Sequence, residues 1–321
     1  MKIIGTGSAL PKLVVTNEMM TEHFDTTDEW IRTRTGIETR HLCSKETLID
    51  LGIEACKKAI ENAGVDPKEI DYFICSNVAN NYVTPAMSCV VQGAIGAQCP
   101  CFDINCACTG FIFALDIAES FIQNGRAKKV LILCAEEPSK FCDWKGHDRT
   151  TSILFGDGAG AIVVSEGDDL QAIHTATTSI PDVLWYKHAM EPTPFEDGIE
   201  EHVPLQMDGK GVFRTAVTSC CKDVDVVLNK SGVKPDDVDL YVLHQANFRI
   251  IDAIRNFVGQ PAEKFPTNLQ HYGNTSSASI PILLDELHRE GKLRPGMQLV
   301  FSAFGAGFVS GAAVMKWSME K

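Results

Sequence analysis

The chain has 321 residues, 45% of them hydrophobic and 22% charged, enough to bury the core of one large or two medium domains. Its net charge of −13 excludes generic nucleic-acid binding, which needs a basic footprint, and obliges any acidic partner to find a local basic patch. No apolar run reaches the length of a membrane span and residues 1–5 lack a signal-peptide pattern, so a cytoplasmic protein with reduced thiols is expected.

In chain order, residues 2–7 read as a strand. Thr26 to Glu29 have helix-cap character, and a short helix from Trp30 stops at Gly36. Residues 47–63 form an amphipathic helix with Leu48, Leu51, Ala55, Ala59 and Ile60 on one face, ended by Gly64. A buried strand over 70–75 and a helix over 86–95 follow, then a strand ending near Ile104 and a helix over 111–122. Another buried strand spans 130–134, a loop-rich stretch 137–153, and a further strand 161–164. Alternation of strands and helices indicates an α/β layered fold.

Two segments recur. Gly64-Val65-Asp66-Pro67 and the strand after it resemble Gly232-Val233-Lys234-Pro235 and its strand, 168 residues later. Phe155-Gly156-Asp157-Gly158-Ala159-Gly160 resembles Phe304-Gly305-Ala306-Gly307-Phe308, 149 residues later. Two similar halves, 1–168 and 169–321, are therefore expected, with extra residues in the loop-rich stretch of the first. The glycine run of 156–160 matches neither a dinucleotide nor a P-loop pattern and reads as close backbone packing.

The chain turns sharply at Cys106 and Cys108, between a strand and a helix opened by Gly110. A cysteine at a helix N-terminus faces unpaired N–H groups and the positive end of the dipole, which favour thiolate and nucleophilic chemistry. An inert buried cysteine is the other reading, and only partners decide between them. Adding 168 to 108 leads to Ser276, inside Gly273-Asn274-Thr275-Ser276-Ser277-Ala278-Ser279, which carries capping chemistry before a helix over 280–290. Pseudo-symmetry would set Cys108 and Asn274 at two helix N-termini facing a common centre. His244 is the first polar residue after the buried run 240–243, at the strand edge where α/β sheets bind ligands. The spacings Cys99-x-Cys101 and Cys106-x-Cys108 do not match paired C-x-x-C sites, so no metal is expected.

These motifs resemble, over nearly the whole chain, the type III β-ketoacyl-acyl carrier protein synthases of the thiolase fold. The resemblance rests on Asp28-Glu29-Trp30-Ile31, Arg34-Thr35-Gly36-Ile37, Cys108-Thr109-Gly110-Phe111, the 155–159 and 304–308 motifs, His244-Gln245-Ala246-Asn247 and Gly273-Asn274-Thr275-Ser276. It implies a five-layered α-β-α-β-α sandwich of two duplicated halves, usually a homodimer. It further implies that Cys108, His244 and Asn274 form the catalytic set, and that the backbone N–H groups of Cys108 and Ala306 form an oxyanion hole. The expected reaction is the chain-initiating decarboxylative condensation of an acyl-CoA primer with malonyl-acyl carrier protein, without metal or redox cofactor.

By the same resemblance, Trp30 and Arg149 sandwich the CoA adenine, Arg34 and Arg249 contact its phosphates, and Asn247 lies near the pantetheine. Met207, Gly209 and Phe213 line the tunnel. Arg214, Arg249 and Arg255 form the basic patch for an acidic carrier protein, although Asn256 and Phe257 replace the usual lysines. Thr84 stands where some members carry a Phe that closes the acyl pocket across the dimer, which suggests a branched or longer primer. Ala306 replaces a common glycine, so a strained dihedral is expected there. The rival readings are a condensing enzyme of secondary metabolism, a non-catalytic acyl-binding partner and a zinc module.

Overall fold

The computed structural model describes residues 1–78, 81–187 and 203–320. Its first half runs β1 (Lys2–Ala9), β2 (Leu13–Thr16), α1 (Asn17–Met20), α2 (Asp28–Thr35), β3 (Thr39–Leu42), α3 (Leu48–Ala63), β4 (Tyr72–Ser76), α4 (Met87–Ile95), β5 (Cys101–Ile104), α5 (Gly110–Gln123), β6 (Lys129–Glu136) and β7 (Gly158–Ser165). The second continues β8 (Leu170–Thr177), β9 (Leu184–Trp185), β10 (Gln206–Met207), α6 (Gly209–Ser231), β11 (Leu240–Leu243), α7 (Phe248–Val258), α8 (Leu269–Tyr272), α9 (Ser279–Arg289), β12 (Gln298–Gly305) and β13 (Val309–Lys316).

Local chemistry sets the helix ends. The Thr47 hydroxyl accepts from the Asp50 amide while the Asp50 carboxylate accepts from the Thr47 amide, and Gly64 closes α3 in the left-handed region. Thr27 caps α2 at the Trp30 amide and Gly36 ends it at φ 82°.

The first sheet has the order β1-β7-β6-β4-β5 and the second β11-β12-β13-β8. Read from β8, the second sheet repeats the β1-β7-β6-β4 order of the first. The pairings repeat too: β4 is parallel to β6 as β11 is to β12, and the other shared pairs are antiparallel. β6 and β7 are joined by residues 137–157, β12 and β13 only by residues 306–308. That difference accounts for the unequal offsets of the two sequence repeats.

Because side chains alternate across a strand, one buried strand feeds two cores. Phe73, Cys75, Leu131 and Leu133 point outward onto α3 and α4, with Leu51, Ala55 and Val91. Ile74 and Ile132 point inward, where α5 and α9 lie between the sheets with Phe111, Leu115, Leu283 and Phe301. Tyr241, Leu243, Val300 and Val314 face the other outer layer of α6 and α7. The architecture is the five-layered α-β-α-β-α sandwich, with the N-termini of α5 and α9 buried at its centre.

The glycines of 156–160 serve packing. A Cβ on Gly156 would stand 2.1 Å from the Tyr272 carbonyl, and one on Gly160 2.8 Å from the Ile282 amide. Gly158 and Gly160 belong to β7 itself, which begins earlier than the apolar run suggests. The β7 strand can therefore lie directly against α9.

Candidate active site

Cys108 sits in a single 3-10 turn, Ala107–Thr109, that runs into α5. No side chain caps α5, so its first N–H groups are available to charge at the cysteine. The counterpart turn is Ser276–Ala278, before α9. Ala107 (φ 45°) and Ser276 (φ 52°) are the two non-glycine residues with positive φ among the described residues. Each opens its turn, so Ala107 matches Ser276 and Cys108 matches Ser277. The offset here is one residue more than the sequence repeat suggests. A left-handed non-glycine residue costs roughly 1–3 kcal/mol, and such strain concentrates at functional sites.

The run 273–279 does not cap α9, contrary to the sequence reading; that helix too lacks a side-chain cap. Its polar groups are spent on the site instead. The Ser276 hydroxyl bonds to Cys108 Sγ at 3.4 Å, and the Ser276 amide donates to Asn274 Oδ1 at 2.9 Å. Ser279 Oγ lies 2.7 Å from His244 Nδ1, and Ser277 Oγ donates to Glu136 Oε1 at 2.5 Å. Asn274 itself is fixed through its backbone, donating to the Leu154 carbonyl at 2.8 Å and accepting from the Gly156 amide at 3.1 Å. A Cβ on Gly273 would stand 2.8 Å from the Leu154 carbonyl. The glycine run and the Asn274 loop thus close on each other.

The end of β12 links the remaining pieces. Phe304 meets the His244 ring edge-on at 5.3 Å, and a Cβ on Gly305 would stand 2.7 Å from the Cys108 amide. One short stretch therefore touches both His244 and the Cys108 turn, and Ser276 bridges Cys108 and Asn274. Ala306 follows directly. It does not have positive φ, so the expected strain is absent there; Gly307 takes the unusual value, 138°.

The electrostatics are those of a buried site. Cys108 keeps some exposure, yet burial pushes its thiol up to about 12, with the Ser276 hydroxyl pulling it back and Glu136 pushing it further. Burial therefore opposes the pull of the helix terminus toward thiolate. Burial drives His244 down to about 3, which keeps the ring neutral at physiological pH. Ser279 Oγ already accepts from the Gln245 amide at 3.2 Å, so its hydroxyl hydrogen is free to donate to His244 Nδ1. With the hydroxyl as donor the ring proton is on Nε2, which is buried without a hydrogen-bond partner among the described residues. Asn274 Oδ1 is occupied, so its Nδ2 is the free donor.

At the surface, Arg34 and Arg149 each hold Cζ 4.8 Å from the Trp30 ring centroid. Arg149 also donates to the Asp25 carbonyl and faces its carboxylate at 3.7 Å. An inserted base needs roughly 7 Å, twice a van der Waals contact, so Arg149 must swing out to admit one. Gly36 packs against Phe248, which brings Asn247 and Arg249 at the start of α7 to the end of α2. Asn247 caps α7 through the Arg249 amide, and the Arg249 side chain is exposed. Met207 and Trp30 pack on the same core cluster; Gly209 opens α6, and Phe213 and Arg214 are exposed on its first turns. Arg255 is held by Asp252 through two bonds of 2.9 and 2.6 Å, which leaves Arg214 and Arg249 as the cations of the trio without an acidic partner among the described residues. Thr84 is exposed on the loop before α4, beside Val83 at 84% exposure.

Among the described residues, one group of side chains has the makings of a metal site: Cys43, Glu137 and Asp157. It includes none of the clustered cysteines weighed from sequence. Asp157 spends its oxygens on the Cys43 amide and on the Ser139 amide and hydroxyl. Residues missed from sequence are Glu136, Ser276 and Ser279. The signals for the two serines are an unusually polar run before a helix and, for Ser276 alone, the 168-residue repeat offset from Cys108.

Residues 102–180 match the family model for 3-oxoacyl-[acyl-carrier-protein (ACP)] synthase III, and residues 228–317 match the model for its C-terminal part. The β-ketoacyl-[acyl-carrier-protein] synthase III of Clostridium acetobutylicum is 42% identical over 99% of this chain and 98% of its own. The crystal structure of the 3-oxoacyl-[acyl-carrier-protein] synthase III of Aquifex aeolicus superposes with a TM-score of 0.92 at 40% identity, covering 98% of this chain and 99% of that one. The priming β-ketosynthase of the R1128 polyketide pathway superposes with a TM-score of 0.91 at 34% identity, covering 99% and 96%.

Proposed function

The chain belongs to the 3-oxoacyl-[acyl-carrier-protein] synthase III family, and from that premise we propose how its residues divide the work. The enzyme is an acyltransferase that carries out the initiating condensation of fatty acid synthesis. In the first half-reaction Cys108 sulfur attacks the carbonyl of an acyl-CoA. The N–H groups of Cys108 and Ala306 receive the tetrahedral oxyanion, CoA leaves as its thiol, and the acyl group stays on Cys108 as a thioester.

In the second half-reaction the thioester carbonyl of malonyl-acyl carrier protein accepts hydrogen bonds from His244 Nε2 and Asn274 Nδ2. Carbon dioxide departs, and the electron pair it leaves is held as an enolate by those two donors. The carbanion attacks the acyl-Cys108 carbonyl, the Cys108 sulfur is expelled, and a β-ketoacyl-carrier product forms. No step is routed through a metal or redox group. The observation that carries this reading is a neutral, buried imidazole whose Nε2 has no internal partner, placed through Phe304 and Gly305 beside the Cys108 turn.

For substrate delivery, Trp30, Arg149, Arg34, Arg249 and Asn247 take the CoA moiety, and Met207, Gly209 and Phe213 wall its tunnel. Arg214 and Arg249 receive the acidic carrier, with Arg255 contributing only if it leaves Asp252. The chain acts as a cytoplasmic homodimer, a reading supported by the exposed Tyr82 and Val83 next to Thr84. No helix among the described residues is long and apolar enough to cross a membrane. Thr84, smaller than Phe, leaves room for a branched or longer primer. A second reading, a priming enzyme of a specialised pathway, is favoured by the likeness to the R1128 protein.

One experiment tests the scheme. The protein is incubated with acetyl-, isobutyryl- and hexanoyl-CoA, with and without malonyl-acyl carrier protein, and analysed by mass spectrometry. Acylation of Cys108 that transfers to the carrier is expected; a Cys108 that takes no acyl group from any of them sinks the reading. Strict acetyl preference would count against the role given to Thr84.

A further inference from the structure

Arg40 stands in β3 and is 0% exposed. Among the described residues the arginines with an acidic partner are Arg32, Arg149, Arg255 and Arg289; Arg40 has none. Its guanidinium donates instead to the Ile153 carbonyl at 3.0 Å and to the Val15 carbonyl at 3.4 Å, and its Nε finds no partner. Burial lowers the guanidinium from its ordinary value only to about 10, so it stays charged at neutral pH. A cation buried without an anion is costly to the fold. Fully enclosed, it cannot touch a substrate either, so its use lies in what it holds.

What it holds is the segment on which Asn274 is laid. Ile153, which takes the shorter bond, is followed by Leu154, Phe155 and Gly156. The Leu154 carbonyl accepts from the Asn274 amide at 2.8 Å, and the Gly156 amide donates to the Asn274 carbonyl at 3.1 Å. Both backbone groups of Asn274 are thus spent on the residues just beyond the Arg40 contact. The arginine stem packs at the same place: its Cβ lies 3.2 Å from where a Cβ on Gly156 would stand and 3.3 Å from one on Gly273. The strand that carries Arg40 is tied to both sides of the loop. On the α8 side the Glu38 amide donates to the Gln270 carbonyl at 2.9 Å, and Thr39 Oγ1 to the His271 carbonyl at 2.8 Å. On the other side the Asp157 amide donates to the His41 carbonyl at 2.8 Å.

We propose that Arg40 is a positioning residue for Asn274: its guanidinium fixes the segment from Ile153 to Gly156 and, through it, the direction of Asn274 Nδ2. The inference deepens the condensing-enzyme reading and rests on the role given there to Asn274. With its backbone held by Leu154 and Gly156 and its Oδ1 by the Ser276 amide, the Asn274 carboxamide has one orientation. Loosening Ile153 lets the loop shift and carries Nδ2 with it. A misplacement of about 1 Å at a catalytic group costs on the order of 10²-fold in rate. A planar fork spanning carbonyls of two separate segments is arginine's geometry, and a lysine ammonium does not reproduce it. The Cys108 turn is packed from another direction, against Gly305 of β12, so its reaction does not depend on this brace.

The test reads the two half-reactions separately, at saturating substrate. Arg40→Lys keeps a basic side chain without the fork, and Arg40→Met keeps an unbranched stem without donors. In both, carbon dioxide release from malonyl-acyl carrier protein should fall about tenfold or more, while acylation of Cys108 by acyl-CoA, followed by mass spectrometry in a single turnover, stays within about twofold. Adding Asn274→Ala to Arg40→Lys should cost less than the same substitution costs in the unaltered protein, because a misplaced carboxamide has less to lose. Equal loss of both half-reactions in the two variants, an unfolded variant included, assigns Arg40 to the fold alone and overturns the proposal. So does an Asn274→Ala loss of the same size in both backgrounds. Full carbon dioxide release by Arg40→Lys and Arg40→Met overturns the brace and leaves the reading of Asn274 standing. Full release by Asn274→Ala in the unaltered background sinks that reading and the brace with it.

Discussion

His244 Nδ1 and Ser279 Oγ lie 2.7 Å apart, and that contact decides which ring nitrogen carries the proton. The Gln245 amide occupies one lone pair of the hydroxyl oxygen and leaves its hydrogen available to Nδ1; when the hydroxyl donates there, the ring proton is on Nε2. Ser279→Ala removes this bias and lets the ring take either tautomer. Decarboxylation of malonyl-acyl carrier protein should fall about tenfold to a hundredfold, less than when a donor is removed outright. Cys108 acylation should keep its rate, since the sulfur does not depend on that nitrogen. Separate assays of carbon dioxide release and of acyl-enzyme formation check both halves; equal loss in the two would refute the tautomer argument.

Removing a donor itself should cost more. In the proposed scheme His244→Ala and Asn274→Ala each delete one of two hydrogen bonds to the developing enolate. Each should lower decarboxylation about 10²–10³-fold, or roughly 2.7–4 kcal/mol. If both donors act on one oxygen, as proposed, the double variant should lose less than the product of the single losses. Radiolabelled carbon dioxide release with malonyl-acyl carrier protein measures it, and full multiplicative loss would mean that the two act at different atoms.

The surface cluster gives a test of CoA recognition. Arg149 is already stacked on Trp30, so bringing an adenine between them trades one cation–π contact for new ones. Trp30→Ala should raise the KM for acyl-CoA by about tenfold, equivalent to roughly 1.4 kcal/mol, with kcat little changed. A thioester truncated to the pantetheine arm carries no adenine and should show no difference between the variant and the unaltered protein. A parallel rise in KM for the truncated substrate would place Trp30 elsewhere in the site.

The parts of the molecule readable from sequence are those set by local chemistry. Thr47 and Gly64 bracket α3, and the apolar runs of β4, β6 and β11 are buried on both faces, so their pattern needs no partner to be recognised. His244 was found by its place at a strand end. Glu136 was not, because a carboxylate at the end of a buried strand looks like a solvated one until Ser277, 141 residues away, is folded onto it. Ser276 and Ser279 carry ordinary capping residue types, and only the bare N-terminus of α9 shows that they are used elsewhere. The one-residue shift in the repeat at Cys108 is likewise invisible without the paired positive φ values.

The same buried groups set the pH dependence of stability. Glu136 rises from its ordinary 4.5 to about 7 and Asp157 from 3.8 to about 6, both because burial penalises the charge. Between the unfolded and folded values the native state holds more protons than the unfolded one, so these carboxyls make stability fall as pH rises through about 4–7. His244 acts in the opposite sense. Lowered from 6.5 to about 3, it leaves the unfolded state with more protons, and stability is lost as pH falls from 6.5 toward 3. Glu136→Gln, neutral at every pH and near-isosteric, should therefore stabilise the fold at pH 8 by roughly 3 kcal/mol or less. It should change little at pH 4, where the native carboxyl is already protonated. Thermal or urea unfolding of both proteins at the two pH values measures this. A gain at pH 4 equal to that at pH 8 would show that the substitution acts through packing and not through the buried charge.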